Sequence, residues 1–337
     1  MARGELLRRL FLSHTRGKND MFRAVALEII AEEQRKSNNQ LAKDLLRILE
    51  NSNSSNSFPK VINDVSTLPK DREKQTLLVD VRHPDRLFSE IILKSETRKV
   101  IQGILEENRK SELLRTHGLY PKKKLLFCGP PGCGKTLCAE IISRELGLPL
   151  LYTRFDAIVS SYLGETATNL RKVFDYAASG NWVVLYDEFD AIGKARDDVN
   201  EHGEIKRVIN SFLQLLDGFV APSLIIAATN HEKLLDLALW RRFDEIVYFP
   251  PPTIRDIQVL LSMKLKNFPH KGLDLTAQAT RLKGMSHADV ERVCLDAIKM
   301  CIVEDKEILD QATFQSSLER HRIRLMITRK ALKKEKR

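Results

Sequence analysis

The chain has 337 residues, 43% of them hydrophobic and 30% charged, enough to bury a sizeable core and too many for one average domain. Its formal charge of +10 does not mark a nucleic-acid binder, because residues 1–18 carry +4 (five basic, one acidic) and residues 329–337 carry +5 (six basic, one acidic), leaving the body near neutral. No apolar run approaches the ~18 residues of a membrane span, and Arg8 and Arg9 interrupt the Leu-rich stretch near the N-terminus, so neither an anchor nor a secretory signal is expected.

In chain order, residues 19–35 place Phe22, Val25, Ala26, Ile29 and Ile30 on one helical face. Residues 40–50 repeat the pattern through Leu41, Leu45, Ile48 and Leu49, so residues 1–50 read as a small helical extension. Residues 51–57 are Asn and Ser throughout, and Pro59 and Pro69 follow. Such a composition cannot bury a core, and 51–87 reads as a linker. From residue 88, helical patterns alternate with short apolar runs at 125–128, 148–152, 182–186, 224–228 and 246–249. Five strands separated by helices predict an α/β domain over 88–250 with a three-layer parallel sheet.

Pro250, Pro251 and Pro252 close that region. Helical periodicity at 254–265, 277–282, 288–303 and 312–326 predicts a separate helical domain over 251–326. Residues 327–337 read as a frayed basic tail, with an anionic partner as the other reading. Cys128, Cys133 and Cys138 crowd one Gly-rich stretch while Cys294 and Cys301 sit on a predicted helix. This builds no disulfide framework and fits a reducing, cytoplasmic compartment.

The strongest chemical signal is Gly129-Pro130-Pro131-Gly132-Cys133-Gly134-Lys135-Thr136, which fits the P-loop pattern G-x-x-x-x-G-K-[ST]. Glycines let successive backbone N–H groups turn inward around phosphate oxygens, and the helix beginning near Leu137 aims its N-terminal dipole at the same point. Lys135 adds a cation and Thr136 a hydroxyl for Mg²⁺. Some fifty residues on, an apolar strand ends in Asp187 and Glu188. In a P-loop enzyme these would hold Mg²⁺ through its water shell and polarise the attacking water, respectively.

Around these motifs the chain resembles the AAA clade of AAA+ ATPases over roughly residues 88–324, in the manner of a small, stand-alone bacterial member with a single module. Ala227-Ala228-Thr229-Asn230 is similar to that family's sensor 1 strand, which implies that Asn230 faces the γ-phosphate and the attacking water. Leu235 to Asp244 resembles the second region of homology, which implies that Arg241 and Arg242 are arginine fingers for a neighbouring subunit's ATP. Many family members separate these arginines by a Pro-Gly insert; here they are adjacent, which leaves open which one touches phosphate. Gly284-Met285-Ser286-His287-Ala288-Asp289 is similar to the lid motif that closes on the adenosine, implying nucleotide contacts from Gly284 and Ala288, with Leu137 on the P-loop side. His287 replaces the motif's usual Gly and is read as tolerated at a helix start rather than as a nucleotide contact. Tyr162-Leu163-Gly164 lies where ring motors of the family carry the aromatic-hydrophobic-Gly pore loop, which makes Tyr162 the candidate for gripping substrate.

The resemblance implies a P-loop α/β domain with a helical lid, ATP and Mg²⁺ as cofactors, and self-assembly into a ring, taken as hexameric. The expected function is an ATP-hydrolysing motor that remodels, unfolds or threads a protein substrate, alone or for a separately encoded effector such as a protease. The alternative is an ATP-gated switch or scaffold that activates a partner protein without threading. The near-neutral body disfavours nucleic acid as a partner, and the sequence holds no HExxH protease motif of its own.

Overall fold

The computed structural model describes residues 25–30, 68–72, 75–158, 163–189, 202–230 and 240–334. The chain divides into two units, residues 1–63 and 64–337. In the first, residues 25–30 form a helical stretch with Val25 and Ile30 buried; the rest of the expected N-terminal helices lies outside the described residues.

The second unit is built on a sheet of six strands: β1 (Val79–Arg82), β2 (Lys124–Cys128), β3 (Leu150–Thr153), β4 (Val183–Tyr186), β5 (Leu224–Thr229) and β6 (Glu245–Tyr248). Their spatial order is β1-β3-β4-β5-β2-β6, with β3, β4, β5, β2 and β6 parallel. β4 and β5 are buried along their whole length and β2 nearly so. Burial on both faces is why these strands read as continuous apolar runs rather than as alternating ones.

Successive side chains still go to opposite faces. Leu126, Val184, Tyr186, Ile225 and Ala227 share a core with Val173 and Phe174 of α5 (Leu163–Ala178) and Phe212 and Leu216 of α6 (His202–Asp217). Leu125, Phe127, Val183, Leu185 and Ile226 share the other with Ile101 and Ile104 of α1 (Ser95–Arg109) and Ile141 and Ile142 of α3 (Lys135–Leu146). Two short helices, α2 (Ser111–Thr116) and α4 (Phe155–Ile158), and a 3-10 turn at Phe88–Glu90 belong to this part as well.

The sixth strand, β1, was not among the five expected. It lies within the stretch read as linker and runs antiparallel to β3, with Val79 opposite Thr153 and Arg82 opposite Leu150. Its four residues, two of them charged, carry too little apolar pattern to announce a strand. Tertiary contacts hold it: the Arg82 guanidinium lies 3.8 Å from the Tyr152 ring centroid. Just upstream, Asn169 donates to Asp71 at 2.7 Å, and Lys172 donates to the Lys70 carbonyl at 2.9 Å.

The lid comprises α7 (Ile254–Leu265), α8 (Leu275–Arg281), α9 (His287–Val303) and α10 (Gln311–Lys334), around a third core that includes Leu261, Leu265, Val293, Ala297, Phe314 and Leu318. Thr253 opens α7 and Ser286 opens α9, each in a capping box with an aspartate three residues on. α10 runs to Lys334, so most of the segment expected to fray continues a helix. No Gly or Pro interrupts residues 311–334, and Lys, Arg, Leu and Ala there are good helix formers.

Candidate active site

The loop after β2, the turn after β4 and the end of β5 lie side by side, because β5 sits between β4 and β2 in the sheet. Their carboxyl ends therefore converge, which is where open α/β sheets bind ligands. Gly129 has φ 135°, and a Cβ there would overlap the Phe249 carbonyl. Gly132 has φ 72°, and a Cβ there would lie 2.6 Å from the Ser286 hydroxyl of the lid. Only glycine permits both the backbone and the close approach.

Lys135 is buried, with 6% exposure. Its ammonium donates to the Gly129 carbonyl at 2.7 Å, the Pro130 carbonyl at 2.9 Å and Asn230 Oδ1 at 2.8 Å. A buried cation must be satisfied, and here the loop's own carbonyls and Asn230 take the place a phosphate would fill. Thr136 Oγ1 donates to Asp187 Oδ2 at 2.7 Å. A hydroxyl and a carboxylate oxygen are the hard donors Mg²⁺ prefers, with waters and phosphate oxygens completing its shell. Among the described residues no cluster of three His, Cys, Asp or Glu could hold a metal by itself, so Thr136 and Asp187 are the pair that would hold Mg²⁺ together with a nucleotide.

Glu188 is exposed, and its φ of 50° puts a non-glycine residue in the left-handed region. Its N–H donates to Asp187 Oδ1 at 2.9 Å, and the next N–H, of the buried Phe189, donates to the Ala228 carbonyl at 2.8 Å. The surrounding sheet thus fixes a conformation that costs about 1–3 kcal/mol elsewhere, and the outcome is a carboxylate free to face solvent beside Asp187.

The lid touches the P-loop directly, with the Ala288 N–H donating to the Gly132 carbonyl at 3.1 Å. Ser286 caps α9 by accepting from the Asp289 N–H at 3.2 Å, and Asp289 accepts from Ser286 Oγ at 2.7 Å. His321 Nε2 lies 3.0 Å from Asp289 Oδ1. Burial raises the Asp289 carboxyl, but the hydrogen bonds from Ser286 and His321 outweigh it and hold it below its ordinary value.

A cavity of about 350 Å³ at the strand ends is lined by Pro131, Gly132, Gly134, Lys135, Thr136, Leu137, Asp187, Glu188, Asn230, His287, Ala288 and Glu291. A second, of about 310 Å³, shares Gly134, Thr136, Leu137, His287 and Glu291 with it and adds Ile91, Ile92, Cys133 and Leu260 among its walls. The first offers a cation, amides, a hydroxyl and carboxylates, which suit phosphates and a metal. The second offers aliphatic walls, which suit a nucleoside. A larger hollow of about 420 Å³ between α9 and α10, lined by residues such as Asp296, Lys299 and Arg320, has no strand end or P-loop residue and is not part of this site.

Most of the expected residues thus meet in one place. Gly284 does not: it sits in the turn before Ser286 with φ 87° and lines neither cavity. Cys133 is buried with its sulfur 3.8 Å from the Pro131 carbonyl, and burial pushes its thiol pKa up. Arg242 is bound to Asp217 at 2.8 Å, at the end of α6, while Arg241 is exposed; neither lines these cavities. Tyr162 lies outside the described residues, and Leu163 and Gly164 begin α5. Residues 235–239 also lie outside them. Sequence reading missed Ile91, Ile92, Leu260, Lys264 and Glu291. Glu291 alone left a signal, four residues after His287 and hence on the same face of α9.

Residues 125–251 match the family described as ATPase family associated with various cellular activities (AAA). Over 320 residues the chain is 42% identical to an uncharacterized AAA family ATPase, y4kL, of Sinorhizobium fredii, covering 95% of each chain. The chain belongs to the AAA family of ATPases. More distant similarity, 31% over 266 residues, reaches a proteasome-activating nucleotidase of Methanosphaerula palustris, spanning 76% of this chain and 65% of that one. An ATP-dependent zinc metalloprotease, FtsH 3, of Sphaerobacter thermophilus is 31% identical over 255 residues, 74% of this chain and about half (52%) of that one. As a family member the chain is a nucleotide-binding ATPase. No helix among its described residues is long and apolar enough to cross a membrane.

Proposed function

We propose that this AAA ATPase works as a Mg²⁺-dependent ring motor, taken as hexameric, that remodels, unfolds or threads a protein substrate. The observation that carries the hydrolytic part is the joining of three strand ends by two side-chain bonds, Lys135 to Asn230 and Thr136 to Asp187, with Glu188 exposed beside them. On ATP binding, Lys135 exchanges its loop carbonyls for phosphate oxygens, and Asn230 turns from Lys135 to the γ-phosphate and the attacking water. Glu188 accepts the proton of that water, and Thr136 and Asp187 are the residues that would hold Mg²⁺. Mg²⁺ supplies charge neutralisation at the transferred phosphoryl group.

The arginine pair divides its work in this reading. Arg242 is held in cis by Asp217, whereas the exposed Arg241 reaches the nucleotide of the next subunit. The protein-remodelling part draws support from relatives named as a proteasome-activating nucleotidase and as an ATP-dependent protease.

The test joins both parts. Arg241→Ala subunits mixed with Lys135→Ala subunits recover partial ATPase activity if a finger acts in trans, and mixed rings without recovery refute it. Tyr162→Ala leaves nucleotide binding and assembly intact but abolishes substrate processing. Full processing by folded Tyr162→Ala protein, persisting with Glu188→Gln, would replace the motor with the ATP-gated switch.

A further inference from the structure

His287 stands at the junction of the two cavities and is among the residues lining both. Nδ1 of the imidazole is buried without a hydrogen-bond partner. A buried polar nitrogen without a partner is costly, and each such group in a native fold calls for a ligand or a reason. The polar groups around it are engaged differently. Glu291, one turn further along α9, is paired with Lys264 of α7, and Arg86 is paired with Glu90 at 3.1 Å. Ile91, Ile92, Leu137 and Leu260 supply the aliphatic walls of the same hollow, whose volume and apolar character suit a flat base with its polar edge turned to the rim.

We propose that His287 reads the base of the bound nucleotide, a ring nitrogen accepting a hydrogen bond from the exocyclic amine of adenine. Guanine carries a carbonyl oxygen at that position, which cannot donate to that acceptor nitrogen, so GTP does not gain the hydrogen bond. The ring suits this role because burial lowers the pKa of His287, with Asp256 opposing the shift, and a neutral imidazole keeps one nitrogen as acceptor. Its place is fixed as well: the neighbouring Ala288 N–H is bonded to the Gly132 carbonyl, so the start of α9 is anchored on the P-loop. Discrimination of this kind depends on leaving the wrong partner's polar groups unpaired. The proposal rests on the assignment of these cavities to ATP, and the experiment separates the two.

Calorimetric titration of the full chain with ATP, GTP and inorganic tripolyphosphate decides it. His287→Phe keeps a ring and loses both nitrogens, and is expected to weaken ATP about 5- to 20-fold, the size of one hydrogen bond lost at a buried site. GTP and tripolyphosphate should change less than about twofold, so the preference for ATP over GTP shrinks by the same factor as the ATP affinity. His287→Gln, which restores an acceptor, should recover part of the loss. In wild-type protein, the imidazole ¹⁵N resonances of His287 should move on ATP and stay on tripolyphosphate, a measurement that needs no variant to fold. Wild-type-like ATP affinity in folded His287→Phe, equal weakening of ATP and tripolyphosphate, or imidazole resonances indifferent to ATP each overturns the proposal. Wild-type protein that binds neither ATP nor tripolyphosphate would instead refute the site itself.

Discussion

The two walls of the nucleotide site are built on different plans. On the sheet side, the chemistry sits at the carboxyl ends of three adjacent strands, and each group comes from a short contiguous motif: the P-loop after β2, Asp187 and Glu188 after β4, Asn230 after β5. Buried strands fix these positions, so a side chain can be held in a costly conformation, as Glu188 is at φ 50°. On the lid side, the wall is gathered from the chain at 86–92, 260–264 and 287–291. Among the described residues it is held by helix caps, the Lys264–Glu291 and Arg86–Glu90 pairs and an N–H to carbonyl bond onto Gly132. In the proposed function, the sheet wall would set the reaction geometry and the lid wall would recognise the nucleotide.

That contrast also explains what the amino-acid sequence announces. Phosphate binding needs glycines, a lysine and a hydroxyl at set spacings, because successive backbone amides must converge on one small anion, and this leaves a contiguous signature at 129–136. Strands buried on both faces are apolar runs, and β2 to β5 stood out accordingly. β1 did not, since Val79, Asp80, Val81 and Arg82 form an edge strand that only its pairing with β3 explains. Ile91, Ile92 and Leu260 were invisible for another reason: an aliphatic residue that walls a cavity looks in sequence like one that fills a core. His287 was legible as a departure from its motif, yet its unpartnered nitrogen is a property of the packed structure alone.

The largest expected effect lies on the sheet wall. Glu188→Gln keeps the side-chain volume and loses the basicity, so hydrolysis should fall ~10²-fold or more while ATP still binds. Thermal stability should be unchanged, because the side chain is exposed. Phosphate release and nucleotide affinity, measured on the same preparation, check both halves. Turnover at the wild-type rate would remove Glu188 from the mechanism and leave the sheet wall without its base.

A middle-sized effect is expected where the two walls touch. Gly132→Ala would force a side chain into the left-handed region and set its Cβ 2.6 Å from the Ser286 hydroxyl. The backbone alone costs about 1–2 kcal/mol, so nucleotide affinity should drop about tenfold as the lid is pushed from the P-loop. Turnover of bound ATP should fall less than in Glu188→Gln. If Gly132→Ala binds ATP as wild type does, the close approach of lid and loop is not a feature of the working enzyme.

The smallest effect, and the one that sharpens the comparison most, belongs to the lid alone. Asp289 holds the cap of α9 through Ser286 and reaches His321 of α10, and its carboxyl is held below the ordinary value in the native state. A group whose native pKa is depressed contributes stability at pH values above its unfolded pKa, about 3.9 for Asp, and loses it as pH falls through the native value. Asp289→Asn keeps the shape and removes the charge, and solvent screening at this half-buried position keeps the cost near or below about 1 kcal/mol at neutral pH. Wild type and variant should therefore differ in urea unfolding at pH 7 and converge below about pH 4. The ATPase rate of saturated enzyme should barely change, because Asp289 touches neither the phosphates nor the water. A stability difference that persists unchanged to pH 3 would show that hydrogen-bond geometry, and not the carboxylate charge, holds the lid helix at its start.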